Sequence, residues 1–307
     1  MKKTREPLIN SVPPLREPVA CRRKASCAGN DQRFPSKLTA LLAVIILYTH
    51  ADAIIVRHDT GAGQYLVSER DYPAVFYLQQ SNHRKLCAAT LVHPRWAITA
   101  AHCVQETGMD QVLSTASGAG PSREYPVLIG GRENGVDHVE WHPDYQGVGN
   151  LEVDLALLRL SVPVDSIQAI PLYVDDDELG KIVTLLGWGY FGIGTTGREF
   201  DDGGLRRARN RITVADHRLQ FTFDDPRILG TEVLALEGFP GLGDSGGPAF
   251  IESEGTLSLA GIAVGQVEGL DFNEETQGSY GAVSVYERIS IHTSWINRII
   301  RSGHDGP

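Results

Sequence analysis

The sequence predicts an all-β fold of antiparallel strands that ends in one α-helix. Its short apolar runs are bounded by Gly, Pro and Asp, and its 33 glycines are spread along the chain, which is typical of many short strands joined by turns. Successive strands without intervening helices favour barrels or sandwiches over a parallel α/β sheet. The predicted strands are Tyr72–Leu78, Trp96–Ala100, Tyr125–Ile129, Leu155–Leu160, Ile182–Trp188, Glu232–Leu236, Pro248–Ile251, Leu257–Val264 and Ala282–Tyr286.

The last predicted element is a C-terminal helix. Ile291, Trp295 and Ile299 recur at the spacing i, i+4, i+8, and Ile296 and Ile300 widen this apolar stripe. Such a stripe predicts a helix that docks on the body of the protein. Three long polar stretches predict surface loops: Gln105–Arg123, Gly192–Gly204 and Gln266–Gly278.

The first 53 residues have the composition of a secretory signal peptide. Nine Lys or Arg residues stand against four acidic ones, followed by the apolar run Leu38–Tyr48 and then Ala51-Asp52-Ala53. A basic region, an apolar core and an A-x-A site together predict cleavage after Ala53. The apolar run is shorter than the roughly 20 residues that span a membrane. The alternatives to a cleaved signal peptide are an uncleaved N-terminal anchor and a translation start downstream of Met1.

Removal of this segment changes the charge and the number of cysteines. Residues 54–307 carry 19 basic and 34 acidic side chains, a net charge of −15, which argues against nucleic acid as the main partner. Cys21 and Cys27 lie in the removed part, so only Cys87 and Cys103 remain. In an exported protein, whether secreted or periplasmic, two remaining cysteines most simply form a disulfide.

The run Gly243-Asp244-Ser245-Gly246-Gly247-Pro248 is the strongest functional motif. A serine hydroxyl becomes a nucleophile when a base removes its proton. Attack on a carbonyl creates an oxyanion, which the backbone N–H groups of Gly243 and Ser245 could stabilise. The alternative is a glycine-rich turn that happens to contain a serine.

Two further motifs supply the partners of such a serine. In Thr99-Ala100-Ala101-His102-Cys103, His102 is a candidate general base because the pKa of histidine lies near neutral pH. A disulfide from Cys103 to Cys87 would tie this segment to a neighbouring strand. Asp154 stands at the head of the apolar run Leu155–Leu160, where its carboxylate could accept the other imidazole N–H and fix the tautomer.

The order His102, Asp154, Ser245, together with these motifs, resembles the chymotrypsin/trypsin family. Gly187-Trp188-Gly189 is similar to the family's Gly-Trp-Gly. Ile262-Ala263-Val264-Gly265 resembles its Val-Ser-Trp-Gly, and Val285–Ser290 followed by Trp295-Ile296 resembles its Val-Tyr-Thr-Arg-Val-Ser and terminal helix. The sparse cysteines and the run Ile55–Asp59 resemble bacterial secreted members.

The resemblance implies two six-stranded antiparallel β-barrels, the N-terminal one at about residues 54–170 and the C-terminal one, with the helix, at about 171–307. The triad would lie between the barrels. The implied activity is that of a secreted, monomeric serine endopeptidase that needs no cofactor and acts on proteins or peptides. The alternative is an inactive binding protein on a protease fold. An α/β-hydrolase esterase is excluded by the order, since those enzymes place the serine first.

The predicted substrate pocket departs from the family. Its floor position falls on Phe239, and Gly265 and Ser284 stand at its walls. No aspartate is present at the floor to pair with a substrate Arg or Lys, and Glu237 could serve only in a differently built loop. Ala263 replaces the family's substrate-binding serine. We therefore expect a shallow apolar pocket for small or medium uncharged side chains.

Activation is a second departure. The resemblance implies that a freed N-terminal ammonium pairs with the acid before the nucleophile, here Asp244. No basic residue precedes Ile54 or Ile55, so we expect signal cleavage after Ala53 to free Ile54 for an activation salt bridge with Asp244.

His138 and His142 share an i, i+4 spacing, but Glu140-Trp141-His142-Pro143 reads as a strand end and a turn. The sequence therefore predicts no metal at this pair. Calcium in an acidic surface loop stays open.

Overall fold

The computed structural model describes residues 54–80, 84–114, 123–147, 152–267 and 277–302. The predicted signal peptide, with Cys21 and Cys27, lies outside these residues. In the part of the chain that is described, no helix has the length and apolar character needed to cross a membrane.

Seventeen strands and three α-helices form in the described residues. The strands are β1 (Ile55–Val56), β2 (Val75–Gln79), β3 (Lys85–His93), β4 (Trp96–Thr99), β5 (Tyr125–Ile129), β6 (Arg132–Trp141), β7 (Ala156–Leu160), β8 (Ile182–Gly187), β9 (Tyr190–Ile193), β10 (Gly197–Asp201), β11 (Arg206–Arg211), β12 (Val214–Ala215), β13 (Arg218–Thr222), β14 (Gly238–Phe239), β15 (Pro248–Ser253), β16 (Thr256–Gln266) and β17 (Val283–Arg288). The helices are α1 (Ala101–Glu106), α2 (Met109–Ser114) and α3 (Thr293–Ser302).

The first sheet has six antiparallel strands in the order β2-β3-β4-β7-β6-β5. In the edge strand β5, buried Tyr125, Val127 and Ile129 alternate with exposed residues. This period-2 pattern is typical of a strand with one solvent-exposed face. Its hairpin to β6 turns through Gly130 and Gly131 at φ +57° and +78°, and a two-residue turn with positive φ at both positions matches the twist of the strands it joins.

The second large sheet has seven strands in the order β11-β8-β15-β16-β17-β13-β12. A smaller sheet has the strand order β10-β9-β1-β14. Three of its strands come from the same half of the sequence as the seven-stranded sheet. The fourth, β1, comes from the start of the described residues and pairs parallel with β9 and antiparallel with β14. Two barrel-like antiparallel sheets and one C-terminal helix confirm the fold class predicted from the sequence, with seven strands in the second sheet where six were expected.

Helix α3 begins and ends close to the predicted apolar stripe. Trp295 and Ile296 are buried and belong to the same apolar cluster as the core of the six-stranded sheet. Burial of a large apolar side chain contributes about 1.5–3 kcal/mol to stability. Trp295 and Ile296 therefore hold α3 against the core of the first sheet.

Three predicted segments differ from the structure. Glu232–Leu236 forms no strand, and its neighbour Gly238–Phe239 does so instead. The predicted loop Gln105–Arg123 contains the end of α1 and all of α2, which is anchored by buried Met109. The predicted loop Gly192–Gly204 contains β10, whose polar side chains are exposed while its backbone pairs with β9. Backbone pairing, which side-chain polarity does not reveal, decides this last case.

Candidate active site

His102 is the second residue of α1. Its backbone N–H is one of the groups that the first turn of a helix leaves without an intrahelical partner, and it donates to Asp154 Oδ1 at 2.9 Å. The ring Nδ1 lies 2.6 Å from Asp154 Oδ2. Because an ionised carboxylate only accepts hydrogen bonds, Nδ1 carries the proton, and Nε2 is left as the acceptor in the neutral ring.

Strand pairing brings Asp154 to His102. Strand β4 runs antiparallel to β7, with Thr99 opposite Ala156. Asp154 precedes β7 by two residues, and His102 follows β4 by three, so both side chains lie at the same end of this strand pair. Both are largely shielded, with 11% and 14% of the side chains exposed.

The environment of His102 acts on its pKa in two directions. Burial lowers the pKa, but the hydrogen bond and the charge of Asp154, with a smaller contribution from Glu106, outweigh burial and raise it above the ordinary value of 6.5. Asp154 therefore stabilises the protonated ring that forms when His102 accepts a proton.

The disulfide predicted between Cys87 and Cys103 is confirmed, with 6.0 Å between the two Cα atoms. It joins the middle of β3 to α1 at the residue beside His102. The cluster of Cys87, His102 and Cys103 has metal-ligand composition, but both sulfurs are bonded to each other, so the group is not a metal site.

Ser245 lies in the turn between β14 and β15 and is half-buried. Its carbonyl oxygen accepts a hydrogen bond from Ala88 N at 2.8 Å, and the next residue, Gly246, donates to Ala263 O at 2.8 Å. Ala88 follows Cys87, whose disulfide partner follows His102. The serine is thus held against the same strand that is covalently tied to the histidine.

Gly246 shows how closely the two halves of the site approach. A Cβ on Gly246 would lie 2.2 Å from Ala88 O, 2.3 Å from Thr99 Oγ1 and 3.3 Å from Ala100 N. Thr99 and Ala100 are the residues that lead into α1 and His102. The Ser245 turn therefore packs, backbone against backbone, on the segment that carries the histidine.

The two backbone amides predicted to stabilise an oxyanion are those of Gly243 and Ser245. Among the hydrogen bonds of the described residues, neither Gly243 N nor Ser245 N is a donor, and Gly243 has φ +96°, a conformation that favours glycine. The Ser245 hydroxyl likewise makes no hydrogen bond with a described residue. The structure thus joins His102 to Asp154 and holds Ser245 on the adjacent turn, without a direct hydrogen bond from serine to histidine.

Asp244 is buried beneath this turn. Its Oδ1 accepts from Gly189 N and its Oδ2 from Gly241 N, each at 2.7 Å. Burial raises the pKa of Asp244 to about 7, although the two backbone hydrogen bonds and the charge of Arg206 act in the opposite direction. Asp244 therefore anchors the glycine-rich turn to the Gly187–Gly189 segment.

Ile54 is also buried and has φ +65°. Its nitrogen is an amide in the continuous chain, so the salt bridge between a freed Ile54 ammonium and Asp244 stays a prediction.

The comparison with known proteins agrees with this geometry. A family model described as Trypsin matches residues 63–296. The chain belongs to the trypsin family.

Three animal proteins illustrate the range of similar trypsin-family members. Phenoloxidase-activating factor 3 of Holotrichia diomphalia is 26% identical, over 75% of this chain and 70% of its own length. Vitamin K-dependent protein C of Oryctolagus cuniculus is 29% identical, over 79% of this chain and 52% of its own. The suppressor of tumorigenicity 14 protein homolog of Bos taurus is 29% identical, over 74% and 26%. The chain thus spans about half or less of the last two, and these relatives give no support to the narrower resemblance to bacterial members.

The floor position predicted for the trypsin-family pocket is occupied by a packed aromatic side chain. Phe239 is 1% exposed and pairs with Ile55 across β14 and β1. Its ring stacks with Phe223 at 6.3 Å, and Phe223 contacts Tyr280 at 4.7 Å. Phe239 therefore belongs to a buried aromatic cluster.

The predicted wall residues lie on neighbouring strands. Gly265 in β16 is opposite Val285, and Ser284 in β17 is opposite the residue after Gly265. A Cβ on Gly265 would meet no atom within 4 Å. Ser284 is fully buried, and its hydroxyl donates to Phe221 O at 3.2 Å.

Glu237 does not take the place of a pocket aspartate. It is 1% exposed, and its two carboxylate oxygens accept hydrogen bonds from Asp224 N and Leu234 N, both at 2.7 Å. The carboxylate is thus committed to fixing its own loop.

His138 and His142 have separate partners. His138 Nε2 lies 2.9 Å from Glu140 Oε1, whereas the His142 ring packs against His292 at 4.8 Å and Trp295 at 4.7 Å. Neither belongs to the cluster of Cys87, His102 and Cys103 found among the described residues.

Sequence reasoning missed Glu287, whose Oε1 accepts a hydrogen bond from Asp154 N at 3.0 Å. Its signal was present in the Val285–Ser290 motif, because Glu287 stands where the matched pattern has a threonine. A buried acid needs a partner, and the partners of Glu287 are Asp154 N and Arg218 Nη2.

We predict that Gly246→Ala lowers the free energy of unfolding by about 3 kcal/mol or more, because it adds a clash with Ala88 O and places alanine at φ +74°. Urea unfolding measures the change. Gly255→Ala is the matched control. It has φ +77° but open space around the added carbon, and should cost about 1 kcal/mol. Equal costs for the two variants would contradict the packing described for Gly246.

Proposed function

We propose that this protein is a serine endopeptidase that hydrolyses peptide bonds in proteins or peptides through an acyl-enzyme on Ser245. The observation that carries the proposal is the double contact of Asp154 with His102, on a segment that packs against the Ser245 turn. Membership of the trypsin family supports the same reaction class.

In the proposed mechanism, His102 Nε2 takes the proton of Ser245 as its oxygen attacks the substrate carbonyl. The oxyanion then accepts hydrogen bonds from Gly243 N and Ser245 N. His102 returns the proton to the leaving amine, and a water molecule, deprotonated in the same way, releases the acyl group. Catalytic hydrogen bonds are often long in a free enzyme and tighten in the substrate complex, which accommodates the unbonded Ser245 hydroxyl.

The second candidate is an inactive protease-fold protein that binds a partner. It is favoured by one observation, the absence of a hydrogen bond between the Ser245 hydroxyl and any described residue. The chain retains the three triad residues and the glycines around Ser245, which favours the enzyme. Chemical reactivity of Ser245 separates the two candidates.

We predict that a fluorophosphonate probe labels the protein at Ser245. Ser245→Ala should abolish labelling and reduce turnover by about 10⁶-fold, because the nucleophile is lost. Gel fluorescence and peptide mapping measure the labelling. Ser253→Ala, an exposed serine on β15, is the control and should label normally. Unlabelled wild-type protein that is folded would favour the binding protein.

We predict that kcat/KM rises with pH through a pKa above the ordinary 6.5 of histidine, because His102 acts as a base only when neutral and its pKa is raised. Asp154→Asn removes the two largest effects that raise this pKa, the charge of the carboxylate and its hydrogen bond, and leaves burial, which lowers it, opposed only by Glu106. The acidic limb should therefore move to lower pH while turnover falls about 10⁴-fold. A pH–rate profile measures both effects.

The control for this profile is Asp165→Asn, the same substitution at an exposed position. It should leave the limb and the turnover unchanged. A limb of Asp154→Asn at the wild-type pH or above it would contradict the role assigned to the carboxylate.

We further propose that the pocket accepts small or medium uncharged side chains, since Phe239 closes its floor and Glu237 is committed to backbone amides. A peptide library should show cleavage after such residues. Gly265→Ala should reduce kcat/KM for the larger accepted residues by about 10-fold relative to alanine. Gly180→Ala, another open glycine with φ +79°, is the control. Strong cleavage after Arg or Lys would contradict the proposal.

The proposed location is secreted or periplasmic. The Cys87–Cys103 disulfide supports an oxidising compartment, and the predicted signal peptide is consistent with it. A monomer that acts without a cofactor remains the expectation from the sequence.

A further inference from the structure

A group of ionisable side chains that are largely buried lies next to the backbone of Asp154. Glu287, on β17, is 1% exposed. Its Oε1 accepts from Asp154 N at 3.0 Å and from Arg218 Nη2 at 2.5 Å, and its Oε2 lies 3.9 Å from His292 Nε2. Glu287, Arg218 and His292 have no role in the mechanism proposed above.

We propose that Glu287 is a positioning residue, which fixes the backbone of Asp154 and supports the His102–Asp154 pair with its charge. This inference rests on the proposed function, since it concerns the same triad.

The first argument is geometric. Asp154 lies ahead of β7, outside the strand ladder, so its backbone groups need other partners. Its carbonyl accepts from Ala101 N at 3.3 Å, at the start of α1, and its amide donates to Glu287. These two bonds fix the peptide on each side of the Asp154 side chain. Asp154, which leads into a strand of the first sheet, therefore has its backbone held by a residue of the seven-stranded sheet.

The second argument concerns charge. Burial is the largest effect and, together with the charge of Asp154, raises the pKa of Glu287 above its ordinary value, while the charge and hydrogen bond of Arg218 and the hydrogen bond from the Asp154 amide lower it. Arg218 thus favours the ionised carboxylate. Asp154 and Glu287 are like charges that act on each other, so an ionised Glu287 makes the surroundings of the triad more negative and favours a protonated His102 ring.

The other groups around the pair do not replace this charge. Burial lowers the pKa of His292 to about 4, so this ring is neutral at neutral pH. Glu106 from α1 acts on His102, and Tyr145, whose pKa is raised to about 12 by burial and by the charge of Asp154, is uncharged. Among the described residues, the two partners of the Asp154 backbone are Ala101 N and the Glu287 carboxylate, and only the Glu287 group is ionisable.

Two variants separate the hydrogen bond from the charge. Glu287→Gln keeps an oxygen acceptor for Asp154 N but removes the charge and leaves Arg218 uncompensated. It should shift the acidic limb of kcat/KM to lower pH by on the order of 0.5 unit. Glu287→Asp keeps the charge and the ion pair but shortens the reach to Asp154 N. It should keep the limb near the wild-type pH and lower kcat about 10-fold, with KM little changed.

The chain offers a closely matched control in Glu178. This glutamate is fully buried and pairs with Arg288, the residue after Glu287, at 2.6 Å. Glu178→Gln therefore breaks a buried pair of the same kind with no contact to Asp154. It should lower stability in thermal unfolding without moving the acidic limb, so a purely structural role of Glu287 would make the two Gln variants alike.

NMR titration of the His102 ring provides a readout that needs no turnover. The ring should titrate at lower pH in Glu287→Gln than in wild type and in Glu178→Gln. An unchanged titration, or an equal shift in both Gln variants, overturns the inference. If Glu287→Gln does not fold, a wild-type kcat in Glu287→Asp overturns it and a selective loss of kcat supports it. Failure of the proposed function would appear instead as absent fluorophosphonate labelling of wild-type protein, whatever the NMR result.

Discussion

The contact between Asp154 and His102 is the interaction on which the rest of the site depends. One carboxylate oxygen holds the backbone at the start of α1, and the other holds the imidazole ring. The first bond fixes where the helix begins, and the second fixes where the free ring nitrogen points. Because the carboxylate serves both, the direction of the base follows from the pairing of β4 with β7 that places Asp154 there.

Close backbone packing has the corresponding role around Ser245. The turn is held by hydrogen bonds to Ala88 and Ala263 and by the Asp244 carboxylate, which binds Gly189 and Gly241. No cysteine flanks Ser245 in the sequence. The conformation of this turn therefore depends on non-covalent contacts. The lack of space beside Gly246 shows that these contacts leave no room even for a methyl group.

The sequence was sufficient to predict features that depend on neighbouring residues or on recognisable motifs. The strand Tyr125–Ile129 has the predicted bounds because its alternation and the following Gly130-Gly131 turn are both explicit. The disulfide followed from two remaining cysteines, and the fold class from the strand pattern with the family motifs. Glu232–Leu236 was wrong because an apolar run does not show which backbone it pairs with. Glu287 was missed because its partner is 133 residues away in the chain, and a single sequence does not give that distance.

The one disulfide in the described part of the chain has a consequence beyond stability. It links the residue after His102 to the residue before Ala88, whose amide holds Ser245. Reduction would therefore remove a covalent constraint on the segment of His102 and on the strand that holds Ser245 at the same time. Under the proposed function, thiol reductants would then lower the activity of this protein, and the redox state of its surroundings would set the active fraction.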